Sequence, residues 1–462
     1  MAQHTAVAIE SVELPDDFDL LALHASWPDR YPFLLESVAT SRDARGLAEA
    51  YDILFAFPGE TLRLDQHFHL HGPMATAGNH FLPALDAWWR SVRLPRGPDS
   101  SLPFTGGWFL FLGYELVRQV EPSIGTPAPL AGPVAFATRI PVALVRDRRA
   151  NRAWIVAEDG QARFVDILRN DIETCRGQLR SDGTARQLVS GIVEPAPGDY
   201  LVAVEEVRRR IARGDVYQVN LARHWRATLD TGVRPVDIYA ELRRTNPAPF
   251  AGIATLEGWT LISSSPERLV RSRGGVVEAR PIAGTRPTAD DPALEEGQRR
   301  DLLANPKERA EHIMLIDLER NDLGRISQPG SVEVDEFMIV ESYAHVHHIV
   351  SNVRGRLRPD VSPGVLIAAM FPGGTITGCP KVRCMEIIGE LEAAPRGPYT
   401  GSMGYLNRDG SCDLNILIRS FLVQDRALSF AAGSGIVADS DPVQELEETR
   451  AKAKGLLLAI GA

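Results

Sequence analysis

The C-terminal third of the chain carries three β-like runs, GSMGYLN (401–407), LNILIRSFLV (414–423) and ALSFAAGSGIV (427–437), separated by short turns. Connections this short join antiparallel neighbours, because a parallel pair needs a crossover of a dozen residues or more. Between such runs lie segments with helical spacing. Val204, Val207 and Ile211 recur until Gly214, and further helices are expected at about 291–304, 307–321, 363–370, 380–391 and 442–459. VYQVNLARHW, WTLISSS and GVVEARP read as strands. The pattern predicts an α+β fold with antiparallel sheets.

Residues 1–180 mix short β-like runs with one helical stretch ending LDAWWRSVR and hold little concentrated chemistry, so they read as a supporting or regulatory region. The Gly-, Ser- and Pro-rich stretch 181–199 marks a boundary, and a catalytic region is expected over 195–462. A net charge of -10 argues against a nucleic-acid surface. Cys175, Cys379, Cys384 and Cys412 form no CxxC pair, which fits a reducing cytoplasm. The opening MAQHTAVAIE lacks the pattern of a signal peptide, and the most apolar run, GGWFLFLGY, is too short to span a membrane.

In 307–322 and 441–454, Glu308 and Glu311, and again Glu445 and Glu448, sit three residues apart on one helix face. They are either solvated faces or a hard-cation site for Mg²⁺. FPGGTITGCPKVRCMEII (371–388) runs a glycine turn into a helix whose first residue is expected to be Pro380. Thr375, Thr377 and Lys381 there are either part of a connector or an anion site. Arg419, inside an apolar run, needs an anionic partner, protein or ligand. Glu267 in SSSPERL is a general acid or a partner of Arg268 or Arg280. His67, His69 and His71 alternate as on one strand face, whereas the pleat sets His348 opposite His345 and His347.

In order, SPERL, PIAGTRP, EHIMLIDLERNDLGR, HHIVS, GGTITGCPKVRCMEII, YTGSMGYL, ILIR, AGSGIVADS and ELEETRAKA resemble the chorismate-utilising enzymes from about residue 195 onward, with a weaker match around YPFLLES. The resemblance implies two facing antiparallel β-sheets surrounded by helices, with chorismate and Mg²⁺ held in a cleft. It implies that Glu311 and Glu448 are metal ligands, with Glu308 and Glu445 beside them. Carboxylate-binding positions fall on Tyr399, Arg419, the Gly433, Ser434 and Gly435 amides, and Lys452, while Thr375, Gly284 and Thr285 line the ring pocket. Glu267 corresponds to the acid that assists departure of the C4 hydroxyl, and His348 to a histidine near the ring.

Water-adding members carry a lysine base where this chain has Gln218, which points to ammonia as the nucleophile, supplied by a separate glutamine amidotransferase. YQVNL, NPAPF, PGGTITG and DLNILIR resemble the aminodeoxychorismate branch, which serves p-aminobenzoate and folate biosynthesis by C4 amination. Ala283 departs from it: many of that branch have lysine there, whereas anthranilate synthases, which aminate C2, have alanine. LLES resembles a tryptophan-site motif around Ser37.

Overall fold

A computed structural model describes residues 7–15, 17–39, 50–75, 79–95, 102–176, 187–288, 291–342 and 346–462. His345, the start of the MAQHTAVAIE stretch and residues 181–186 of the expected boundary lie outside them. The described strands form two sheets, and every strand pair is antiparallel. Helices surround them, as the resemblance implies.

One sheet runs from the Val7–Val12 edge through Arg152–Glu158, Val142–Asp147, Tyr51–Ala56, Phe33–Glu36, Phe250–Leu256, Trp259–Ser265, Ser420–Gln424 and Ala427–Ile436 to Gln218–Leu229 and Val189–Val193. The other runs from Ile282–Pro287 through Val346–Arg356, Val276–Arg280, Arg268–Arg273, Cys412–Asn415, Ser402–Asn407, Gly107–Leu112 and Pro133–Ile140 to Thr61–Asp65 and Leu70–His71. Strands from before and after residue 181 therefore share both sheets. Val189–Val193, within the stretch expected to be a boundary, pairs with Gln218–Leu229.

The fully buried strand GWFLFL explains how one apolar run serves two cores, because alternate side chains leave opposite faces. Phe109 and Phe111 enter the space between the sheets with Phe33, Phe55 and Phe136, the Phe33 and Phe109 rings stacking at 4.1 Å. Trp108, Leu110 and Leu112 face outward against Leu85, Trp88 and Leu366 of the covering helices. Each such side chain contributes roughly 1.5–3 kcal/mol of burial.

LNILIRSFLV is not the single strand its apolar pattern suggests. Cys412–Asn415 pairs with Arg268–Arg273 in one sheet, whereas Ser420–Gln424 pairs with Trp259–Ser265 in the other. An earlier segment of the same chain makes the same crossing between Ser265 and Arg268. The two crossings lie side by side, joined by Ile416 N–H to Glu267 O at 3.0 Å and Ser264 N–H to Arg419 O at 3.1 Å. Arg419 takes a φ of 51° at its crossing, a left-handed conformation uncommon outside glycine. Glu267 and Arg419 are thereby delivered to the seam where the sheets part.

The two acidic helices, Pro306–Gly324 and Pro442–Ala459, start for the same local reason. Asn305 and Asp441 cap them, each side chain accepting two backbone N–H groups, and a proline follows at the first helical position. Pro197–Ala212 ends as expected, with Gly214 at a φ of 82° just beyond its cap. Pro380 is the N-cap of Lys381–Leu391 and not its first residue.

One expectation about polar groups is corrected, and two open readings are decided. His67, His69 and His71 do not share a strand face: Thr61–Asp65 ends before them, and Asp65 accepts the backbone N–H groups of His67 and His69 and pairs with the His71 ring at 2.9 Å. Lys381 is not offered to an anion, because its ammonium is held by Asp322 at 2.6 Å and Pro372 O at 3.1 Å. The buried Thr377 hydroxyl likewise donates to Gly373 O at 3.0 Å. All four cysteines are free thiols, and Cys175, Cys384 and Cys412 are buried. Among the described residues no helix is long and apolar enough to cross a membrane.

Candidate active site

Gln218–Leu229 and Ala427–Ile436 lie beside the seam as the floor of the cleft that the resemblance implies, with Asn220 paired to Gly435 and Ala222 to Gly433. Gly433 and Gly435 are small because other groups occupy the space a Cβ would take. At Gly433 a Cβ would stand 2.7 Å from the Tyr399 hydroxyl and 2.8 Å from Asn220 Oδ1. At Gly435 it would stand 2.1 Å from Gln218 Nε2. Ser434 projects from the opposite face, its hydroxyl 2.8 Å from the Tyr200 hydroxyl, so only its backbone belongs to the floor.

Unpartnered polar atoms collect around this floor. Gln218 Oε1, Asn220 Oδ1, Glu267 Oε1, Thr375 Oγ1 and Glu445 Oε2 are buried without a hydrogen-bond partner among the described residues. Each such atom costs about 1–3 kcal/mol when unsatisfied, and their concentration in one place marks a site shaped for a polar ligand.

Glu267 is buried, and burial pushes its carboxyl up to about 7, against the opposing influence of Thr375, Lys452 and Arg419. Thr375 faces it closely enough to favour its ionised form. Neither arginine considered as its partner takes it: Arg268 pairs with Asp413 at 2.9 Å, and Arg280 with Glu341 at 2.6 Å. Arg419 is held below the usual arginine range by burial, partly offset by Glu267, and makes no ion pair among the described residues. A half-buried guanidinium that makes no hydrogen bond among the described residues is suited to a ligand carboxylate.

His348 pairs with Thr285 across the strands and hydrogen-bonds Gly284 O through Nδ1 at 3.1 Å. The carbonyl can only accept, so Nδ1 carries the proton and Nε2 the lone pair. Burial, and then Arg419, lower this ring to about 4, which keeps it neutral near pH 7. His347 points the other way, to the Ser342 hydroxyl at 2.8 Å, as the pleat requires. Gly284 has a φ of 62°, and a Cβ there would come within 2.8 Å of Glu308 Oε2.

The four helix carboxylates border the cleft but are held apart. Glu308 lies 3.3 Å from Arg286, Glu311 accepts from Gln218 Nε2 at 3.4 Å, Glu445 accepts from the Ser440 hydroxyl at 2.6 Å, and Glu448 pairs with Lys452 at 2.7 Å. Lys452 also reaches Gly433 O at 3.1 Å. Among the described residues no three His, Cys, Asp or Glu side chains are gathered as a metal cage. The donor set nevertheless suits a hard cation: every candidate ligand is a carboxylate oxygen, and Glu445 Oε2 has no hydrogen-bond partner among the described residues. Burial and then Glu308 raise the Glu311 carboxyl, with Glu448 adding to the rise and Lys452 and Gln218 opposing it.

Sequence reading passed over three groups. Asn220 contributes an unpartnered carbonyl to the floor. Arg396 is buried behind it. Glu319, two turns beyond Glu311 and on the buried face of its helix, is raised to about 8, first by burial and then by Asp322, with Lys381 opposing. Helical phase is the signal that could have found Glu319, since it lies in register with Leu315 and His312. A carboxyl raised on folding favours the folded state at pH below its unfolded value, and that contribution is lost as pH rises through about 8. Glu319→Gln removes this linkage. Its melting temperature relative to the parent becomes more positive between pH 5 and 9, by an amount equivalent to a few kcal/mol at most (~1.4 kcal/mol per pKa unit); a pH-independent difference in thermal unfolding contradicts this.

A second cavity, of about 150 Å³, lies between the sheets and is lined by Leu35, Ser37, Phe250, Arg268, Met403 and Tyr405 among others. Pro266 and Arg268, which flank Glu267 in the chain, line this cavity.

The chain matches the family described as chorismate binding enzyme over residues 69–458. It is 36% identical to anthranilate synthase component 1 of Streptomyces coelicolor, over 99% of this chain and 89% of that protein. It is 37% identical to aminodeoxychorismate synthase component 1 of Bacillus subtilis, over 82% of each. The crystal structure of anthranilate synthase component I from Streptococcus pneumoniae TIGR4 matches with a TM-score of 0.76 at 31% identity, covering 89% of this chain and 92% of that one. This chain belongs to the chorismate-binding enzymes and is a chorismate-utilising enzyme.

Proposed function

We propose that this chain is the ammonia-using component of an aminodeoxychorismate synthase, which replaces the C4 hydroxyl of chorismate by an amino group. The observation that carries amination over hydration is Gln218. Its amide lies over Gly435 and donates to Glu311, so the place from which a base would activate water holds a group that cannot accept a proton. Ammonia needs no base, because its neutral form already carries a lone pair.

In this reading Glu311 and Glu448, with Glu308 and Glu445 beside them, hold Mg²⁺, which when bound neutralises substrate carboxylate charge. Arg419, Tyr399, Lys452 and the Gly433–Gly435 amides bind carboxylate oxygens, while Thr375, Gly284, Thr285 and neutral His348 line the ring pocket. Protonated Glu267 gives its proton to the departing C4 hydroxyl, which leaves as water. Ammonia forms the new C–N bond, and the proton shed by the new ammonium returns to Glu267. Charge that develops in the transition state meets groups already in place. Ala283 offers no nucleophile, and no covalent intermediate is assigned there.

C4 as the aminated carbon rests on the YQVNL, NPAPF, PGGTITG and DLNILIR segments. Ala283, together with relatives named anthranilate synthase, favours a second reading: C2 amination with loss of pyruvate. The ammonia source is a separate glutamine amidotransferase, and the cytoplasm is the fitting compartment. Amination is tested by incubating the chain with chorismate and Mg²⁺, with and without an ammonium salt. Chorismate persists until ammonium is added; conversion to isochorismate without it overturns the reading.

The inter-sheet cavity is assigned to tryptophan or an amino acid of similar shape, on the position of Ser37 and the apolar wall of Leu35, Phe250 and Met403. Tryptophan at about a hundredfold excess over its Kd raises the melting temperature by about 1–3 °C, and Ser37→Phe, which fills the cavity, abolishes the rise. An unchanged melting curve for the parent removes the assignment.

A further inference from the structure

Arg396 belongs to no step above, yet its side chain is 1% exposed and spends every donor it has. Nε and Nη2 grip Glu392 at 2.8 and 2.6 Å, Nη2 also donates to Asn220 O at 2.8 Å, and Nη1 donates to Ile376 O and the Thr400 hydroxyl, both at 3.2 Å. Glu392 Oε1 in turn accepts Ala222 N–H at 2.9 Å. The guanidinium lies between the Tyr114 and Tyr399 rings, 4.9 and 5.6 Å from their centroids. Its own turn is fixed by Glu115, which accepts the Arg396 and Gly397 N–H groups at 2.8 and 3.1 Å.

The segments so joined include a strand 176 residues before Arg396, a turn 20 residues before it and the chain just after it, and each presents a group at the cleft. The Gln218–Leu229 strand presents Asn220 Oδ1, the Gly374–Ile376 turn presents Thr375 Oγ1 beside Glu267, and the Pro398–Thr400 segment places the Tyr399 hydroxyl at Gly433. The two acidic helices have no hydrogen bond to Arg396 or Glu392 among the described residues. We infer that Arg396, clamped by Glu392, is a positioning residue that sets the substrate-facing groups Asn220, Thr375 and Tyr399 against one another without setting the metal-facing carboxylates. A lysine would keep the charge but not the planar fork that joins all three segments.

The inference rests on chorismate occupying this cleft and not on which carbon is aminated, so the readout is total chorismate consumption whatever the product. In Arg396→Lys the KM for chorismate rises at least about tenfold, because sub-ångström misplacement of binding groups is costly, while the Mg²⁺ concentration for half-maximal rate stays within about twofold. A purely structural arginine would lower the melting temperature and leave KM of the folded fraction unchanged, and that result overturns the inference. Glu392→Gln keeps an acceptor for Ala222 and carries the test if the lysine variant does not fold. It raises KM a few-fold, and an unchanged KM there overturns the inference equally. Should the parent consume no chorismate with ammonium, the amination reading fails, and chorismate Kd by calorimetry replaces KM in the same comparison.

Discussion

Glu311→Ala and Glu448→Ala each lower Mg²⁺-dependent chorismate turnover by more than about a hundredfold, since even residues that merely orient a metal ligand are worth 10–100-fold. The cause is electrostatic as much as geometric. Burial and two neighbouring carboxylates raise Glu311, and among the described residues the cations paired with the acidic helices' site carboxylates are Arg286 and Lys452. A cation relieves that repulsion, and the parent gains thermal stability from added Mg²⁺. Both alanine variants lose most of that gain. Initial rates and melting curves over a MgCl₂ series measure both effects; a variant that keeps Mg²⁺-dependent turnover excludes its residue as a ligand.

Glu267→Gln is the second large effect. The glutamine keeps the shape but has no proton to give, and kcat falls by about 10²–10⁴-fold. The pH profile separates this role from a passive one. Burial holds the Glu267 carboxyl at about 7, so the acid form is present below that pH and depleted above it. Expressed per unit of neutral ammonia, the parent rate is level below pH 7 and declines roughly tenfold per pH unit above it. The variant shows no such limb. A parent profile that is flat from pH 6 to 9 after correction for ammonia assigns the proton to another group.

Local chemistry made part of this architecture legible in the sequence. Asn305-Pro306 and Asp441-Pro442 carry a cap and a first-turn proline, which fix where the acidic helices begin and so which face Glu308, Glu311, Glu445 and Glu448 share. Gly284, Gly433 and Gly435 stand in ordered motifs, and each proves to be a close approach of another chain segment. What pattern could not reveal is which partner a residue meets. LNILIRSFLV is largely apolar because its two ends are buried in different sheets, so nothing in its periodicity marks the crossing at Ile416–Arg419. Lys381 stands beside a glycine turn like an anion ligand, yet Asp322, a distant residue in sequence, already holds it. Asn220, Glu319 and Arg396 are ordinary polar letters until burial and long-range partners give them a role. The alternating histidines at 67–71 failed for a local reason, because the Asp65 side chain closes a turn around their backbone.

The resemblance supplied the substrate, and the crossing of two strand pairs explains why the cleft lies where it does. Both Glu267 and Arg419 sit where the backbone leaves one sheet for the other, so neither is committed to the pleat of a regular strand. The same geometry puts the inter-sheet cavity directly behind Glu267.

The most direct test of C4 amination is the product formed by the purified chain from chorismate, Mg²⁺ and ¹⁵N-ammonium at mildly alkaline pH, identified by mass and chromatography. Aminodeoxychorismate, which retains the enolpyruvyl group and gives p-aminobenzoate with added lyase, is the predicted result; labelled anthranilate with release of pyruvate contradicts it.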